Sequence, residues 1–212
     1  MGRPLVLALD EATEYHDFIR AGLQQAYGDE VEVRIEGPLK TIEQMIKHIL
    51  EVDEYLSALI LDQRLNETGD CDYIGSELAK AYRSYDSKIP IYILTSYPDD
   101  IDSMFSDIEY VLDKGHLTDD PSIERLSPRL RRHVDIYRDM VDIRKRKLDE
   151  LLMKKISSPL TVDEAKELSE LQFWRTRPIE LEESILSDKL RESLDKKEEM
   201  IAGLESILNK ES

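Results

Sequence analysis

The chain has 212 residues, enough for one large domain or for a compact domain with an appendage, and too few for two full-sized domains with ease. Hydrophobic residues make up 41% and charged residues 35%, which supplies a core and excludes collagen-like and low-complexity classes. The net charge is −17, and residues 1–116 hold 10 Lys and Arg against 24 Asp and Glu, so that half suits cations or basic partners better than phosphate backbones. No apolar run approaches the ~20 residues of a membrane span, and Leu5 to Leu9 is too short for a signal-peptide core. Cytoplasmic residence with no membrane partner is the expectation. The single Cys71 can form no intramolecular disulfide.

Short apolar runs alternate with amphipathic stretches in the first half. Leu5 to Leu9 reads as a buried strand, followed by a helical pattern through Tyr15, Phe18, Ile19 and Leu23 that closes at Gly28. Val31 to Ile35 alternates like a strand near a sheet edge, and Ile42, Met45, Ile46, Ile49 and Leu50 mark a second helix. Ala58 to Leu61 and Ile89 to Leu94 are buried-strand types with a helix from about Tyr73 to Tyr85 between them, and Tyr110 to Leu112 is a last short strand. Strands separated by helices, three of them continuously apolar, predict an α/β fold: a five-stranded parallel sheet covered on both faces.

Beyond Gly115 the pattern is helical throughout, and seven of the eight glycines lie before residue 116, so a boundary is expected there between domain 1–116 and an extension 117–212. Ser127 and Pro128 read as a cap and first-turn proline for a long helix over about residues 128–155. Its apolar positions Leu130, Val134, Tyr137, Val141, Leu148 and Leu151 keep a coiled-coil-like spacing interrupted at Arg144, and a second stripe runs through Ile136, Met140 and Ile143. Thr161 with Glu164 forms a capping box for a shorter helix over about 162–176, and Pro178 ends it. A final helix over about 179–209 carries Leu190, Leu194, Ile201, Leu204 and Leu208.

In a doubly wound parallel sheet, chemistry collects at the carboxyl ends of the strands. Those ends hold Asp10 and Glu11, then Asp62, then Thr95 and Ser96, then Asp113 and Lys114. Carboxylates gathered at close range repel one another unless a hard cation joins them, and oxygen ligands of this kind suit Mg2+. One acid can then act as a nucleophile toward phosphorus, while a hydroxyl and an ammonium stabilise charge on the phosphoryl oxygens.

The segments Leu7-Ala8-Leu9-Asp10-Glu11, Leu59-Ile60-Leu61-Asp62, Ile91-Tyr92-Ile93-Leu94-Thr95-Ser96 and Val111-Leu112-Asp113-Lys114 resemble the receiver domain of two-component response regulators, in that family's order. The resemblance covers residues 3–116 and implies a flavodoxin-like fold, leaving the all-α, coiled-coil-like extension unassigned. It implies that Asp62 is the phosphoryl acceptor, that Asp10, Glu11, Asp62 and the Arg64 backbone carbonyl hold Mg2+, and that Thr95 and Lys114 contact the phosphoryl group. It further implies a histidine kinase or phosphotransfer protein as donor, and signalling without turnover catalysis. Departures are Gly115 where the family has proline after its lysine, Val111 at the family's switch-aromatic position with Tyr110 beside it, and a long acidic loop, Asn66 to Asp72, that could partly cover the site.

Residues 125–147 carry nine basic side chains against Asp135, Asp139 and Asp142. A solvated face, or one complementing the acidic half, accounts for them better than nucleic acid, because few aromatic residues are interleaved for base stacking. Homo-oligomerisation through the helical stripes, or capture of a downstream protein, is the expected output. Two other readings stay open: a non-phosphorylated pseudo-receiver serving as an adaptor, and a nucleic-acid-binding regulator using the basic helix.

Overall fold

The computed structural model describes residues 2–52, 55–98 and 107–175. Five parallel strands form one sheet: β1 (Leu5–Leu9), β2 (Glu32–Glu36), β3 (Leu56–Asp62), β4 (Ile91–Thr95) and β5 (Tyr110–Asp113), in the spatial order β2-β1-β3-β4-β5. The helices are α1 (His16–Tyr27), α2 (Ile42–Val52), α3 (Gly75–Tyr82) and the 38-residue α4 (Asp120–Ser157). A further helical stretch covers residues 162–175. The strand order is that of a flavodoxin-like doubly wound sheet followed by a long helix, as the sequence predicts.

Strand burial explains the continuous apolar runs. Side chains alternate across a strand, so Val6, Ala8, Ala58, Ile60, Tyr92, Leu94 and Leu112 share one cluster with Ile19, Leu23, Ala26 and Tyr27 of α1 and with Ile123, Leu130 and Val134 of α4. The intervening Leu5, Leu7, Leu9, Leu59, Leu61, Ile91 and Ile93 are equally buried on the other face, where α3 contacts β3 and β4 and packs against α2. β2 is an edge strand, and only Val33 in it is fully buried, which is why its sequence alternates. Helix α1 ends at Gly28, whose φ of 81° is the left-handed conformation that favours glycine after a helix.

The compact unit runs from Met1 to Leu168, past the composition shift at residue 116; a second unit, 169–212, contains only 169–175 among the described residues. Helix α4 begins at Asp120 instead of 128. Its cap is Asp119, whose side chain accepts from the Ser122 amide at 3.1 Å, and Pro121 stands in the first turn. The same signal read at Ser127–Pro128 occurs here seven residues earlier, and burial of Ile123 selects it. Further ties join α4 to the body: Arg131 Nε donates to Ala26 O at 2.9 Å and Tyr137 Oη to Asp86 Oδ2 at 2.6 Å. The Tyr92 hydroxyl lies 2.7 Å from His133 Nδ1, with the two rings stacked. The final helix expected over 179–209 lies outside the described residues. No helix among the described residues is long and apolar enough to cross a membrane.

Because Leu130 is buried and Ile136 exposed, Leu130→Ala is expected to lower unfolding free energy by about 2–5 kcal/mol. Ile136→Ala should stay within about 0.5 kcal/mol. Urea unfolding followed by far-UV circular dichroism measures both, and equal small effects would mean that α4 is not part of the core.

Candidate functional site

The register of the parallel strands brings the acids together. Leu9 pairs with Leu61 in the β1–β3 ladder, so the next residues, Asp10 and Asp62, stand level at two neighbouring strand tips. Asp62 pairs with Leu94 and Thr95 with Asp113, which carries the same level across to β5 and Lys114. Asp10, Asp62 and Thr95 are 1%, 3% and 3% exposed, so these polar groups are buried and must find partners within the protein.

Lys114 supplies the central one. Its Nζ lies 2.7 Å from Asp10 Oδ2 and 2.9 Å from Asp62 Oδ1. Burial by itself would lower the ammonium pKa, but the hydrogen bonds and charges of Asp10 and Asp62 outweigh it and raise it. The remaining oxygens take backbone amides: Ala12 N donates to Asp10 Oδ1 at 3.0 Å and Arg64 N to Asp62 Oδ2 at 2.8 Å. Thr95 Oγ1 accepts from Tyr97 N at 3.0 Å, which leaves its own proton to donate.

Glu11 is the third member. One carboxylate oxygen from each of Asp10, Glu11 and Asp62 lies within 4.8 Å of the others. Glu11 Oε2 is buried and has no hydrogen-bond partner among the described residues. Burial, with the charges of Asp62 and Asp10 adding to it, raises the Glu11 pKa from 4.5 to about 7. Three oxygen donors of this type, one of them unpartnered, fit a hard divalent cation. The Arg64 carbonyl accepts from Glu67 N at 2.9 Å.

Several features escaped the sequence. His16 Nε2 lies 2.8 Å from the Asp10 carbonyl. Gly75, which opens α3, packs on the acceptor strand so closely that a Cβ there would stand 2.2 Å from the Asp62 carbonyl oxygen. The Arg64 guanidinium stacks over the Tyr97 ring at 4.3 Å and so joins the loop after β3 to the loop after β4. Only the Gly75 position left a mark in the sequence, as a glycine at a helix start. The loop from Asn66 to Asp72 turns in on itself: Cys71 Sγ donates to Leu65 O and Tyr73 O, Gly69 takes a φ of 81°, and Glu67, Asp70 and Asp72 are exposed and outside the acid cluster. No described peptide bond is cis, and Lys114–Thr118 forms a 3-10 turn capped by Asp113, whose Oδ1 accepts from Gly115 N at 2.8 Å. Tyr110 is 44% exposed beneath the Arg129 guanidinium, 5.0 Å from its ring centroid.

No protein-family model matches the chain, and no curated protein matches it. Its structural neighbours are response-regulator receiver domains. The chain is similar to a CheY-like receiver domain protein from Methanospirillum hungatei at 16% identity, over 66% of this chain and 99% of that one, with a TM-score of 0.45. It is similar to response regulator TrrA from Thermotoga maritima, in complex with Mg2+ and BeF, at 17% identity over 58% and 98%, with a TM-score of 0.44. The promoter-bound RcsB from Salmonella enterica serovar Typhimurium matches at 21% identity over 85% and 91%, with a TM-score of 0.44.

Two measurements test this electrostatic account. Glu11 binds its proton more tightly folded than unfolded, so its contribution to stability is complete below about pH 4.5 and is lost as pH rises through about 7. The stability of the wild type relative to Glu11→Gln should therefore fall across that window, and millimolar Mg2+ should reverse the fall with uptake of the ion and release of a proton. Lys114→Ala leaves two buried carboxylates facing each other, with an expected loss on the order of 3 kcal/mol at pH 7 that Mg2+ partly restores. Thermal unfolding with and without the ion reads this out, and an unchanged melting temperature would contradict it.

Proposed function

We propose that the chain is a response-regulator-like signalling protein that accepts a phosphoryl group on Asp62 and signals through its helical C-terminal region by protein–protein contact. The observation that carries this reading is the cluster at the strand tips: three carboxylates within 4.8 Å, one with an unpartnered buried oxygen, and a lysine between the other two. Asp10, Glu11, Asp62 and the Arg64 carbonyl would hold Mg2+. When bound, the ion neutralises the acids so that an anionic phosphoryl group can approach them.

The chain's own groups account for the remaining roles. An Asp62 carboxylate oxygen attacks phosphorus, forming the acyl phosphate bond as the bond from phosphorus to the donor's leaving group breaks; the leaving group keeps that electron pair. Asp62 gives up Lys114 as its charge moves to the phosphoryl oxygens, and the Lys114 ammonium follows the charge. The Thr95 hydroxyl, whose lone pair is engaged by Tyr97 N, donates its proton to a phosphoryl oxygen. Buried donors fixed in advance act strongly because little reorganisation is needed. The donor in this reading is a histidine kinase or phosphotransfer protein, and the chain turns over no substrate of its own.

A second reading has one observation in its favour. Lys114 already stands between Asp10 and Asp62 and pairs with both, so these two acids have a cationic partner in a non-phosphorylated adaptor. Incubation with Mg2+ and acetyl phosphate, followed by intact mass measurement, separates the two. The expected result is one acid-stable, base-labile phosphoryl adduct, absent in Asp62→Asn, and tight retention of beryllofluoride by the wild type alone. Absence of both adduct and beryllofluoride binding would leave the adaptor reading.

A further inference from the structure

Helix α4 keeps a second face out of the core. Arg129, Arg132, Ile136, Met140, Ile143 and Lys147 recur at spacings of three and four and so lie on one side of the helix. Ile136 is 55% exposed and Ile143 58%. Arg129 and Arg132 are also exposed, and Met140 and Lys147 are half-buried. Tyr110 of β5, beneath Arg129, widens the surface at one end. The face is thus an apolar centre with a cation at each end.

That arrangement selects its partner. A polyphosphate backbone would engage the arginines and leave two isoleucines wet, gaining nothing from the apolar centre. Self-pairing sets like charges against each other: a parallel pair apposes each arginine with its own copy, and an antiparallel pair that matches Ile136 with Ile143 apposes Arg132 with Lys147 at both ends. Like charges brought together in this way oppose association. Two acids border the stripe: Glu150 is engaged with Lys147 at 3.8 Å, and the exposed Asp139 stands three residues after Ile136 and four before Ile143. We infer that this face docks an acidic amphipathic helix of another protein, its apolar stripe on Ile136, Met140 and Ile143 and its carboxylates toward Arg129 and Arg132 at one end and Lys147 at the other. The inference names a partner for the protein–protein output proposed above and needs none of the Asp62 chemistry.

The test uses the full chain and two labelled synthetic helical peptides with the same leucine stripe, one carrying glutamates and the other lysines at the flanking positions, with a 20-base-pair DNA duplex alongside. Fluorescence anisotropy should show binding of the acidic peptide only, at least tenfold weaker in the Ile136→Glu/Ile143→Glu double variant. Both substituted positions are exposed, and circular dichroism confirms that the variant is folded. Equal binding of the two peptides, no binding, binding undiminished in the double variant, preference for the duplex, or a wild-type dimer that the double variant dissolves would each overturn the inference. Loss of phosphoryl transfer with intact peptide binding would count against the phosphoacceptor reading alone.

Discussion

Two carboxylates at adjacent strand tips, Asp10 and Asp62, repel each other unless a positive charge stands between them, and the Lys114 ammonium does so at 2.7 and 2.9 Å. Those partners come from β1, β3 and the far edge of the sheet, and Lys114 is 104 residues from Asp10. A one-residue slip in any of the three ladders would turn one of these side chains to the wrong level, so the ion cluster and the sheet register depend on each other. The balance of charge also explains what the site lacks. One ammonium serves two acids, and Glu11 is left with a raised proton affinity and a buried oxygen with no hydrogen-bond partner among the described residues. A second positive charge would relieve Glu11, and the divalent cation proposed for the site would supply it.

Around this centre the packing is contiguous as far as α4. The Asp62 carbonyl lies against Gly75 at the start of α3. After α3 the chain reaches Asp86, which accepts the Tyr137 hydroxyl of α4. Thr95 ends β4, and three residues earlier on that strand Tyr92 meets His133 of α4. The charge that the proposed phosphoryl transfer would add at Asp62 would thus lie next to two elements that both hold the same helix. Coupling of this kind requires an element with two arrangements, and α4 is the element that both routes would bias.

The sequence made the sheet legible because a parallel strand buried on both faces is continuously apolar, as β1, β3 and β4 are, and because the site residues sit where those runs stop. Asp10, Glu11, Asp62 and Lys114 could be picked out by position alone, and the structure brings their charged groups together. The start of α4 could not be found in this way. Two Pro-bearing start signals lie seven residues apart, and the tertiary burial of Ile123, which lies between them, distinguishes them. Nor does any residue spacing announce the Arg64–Tyr97 stack or the contact of His16 with the Asp10 carbonyl, since each joins loops whose course depends on the folded sheet.

Pro128 sits within α4 and does not end it. Proline lacks the N–H that would bond the carbonyl four residues earlier, at Glu124, and that carbonyl belongs to an exposed residue where water can serve it. Meanwhile Ile123 before the proline and Leu130 after it are both seated in the core, so packing holds the axis through the weak point. The consequence is mechanical. From His133, where the helix is tied to β4, to Lys147 is about 21 Å of uninterrupted helix, and a tilt of about 5° at the tie would move the far end by about 2 Å. A small repacking at the acids that tilted α4 by this amount would therefore alter the fit of the partner helix inferred above.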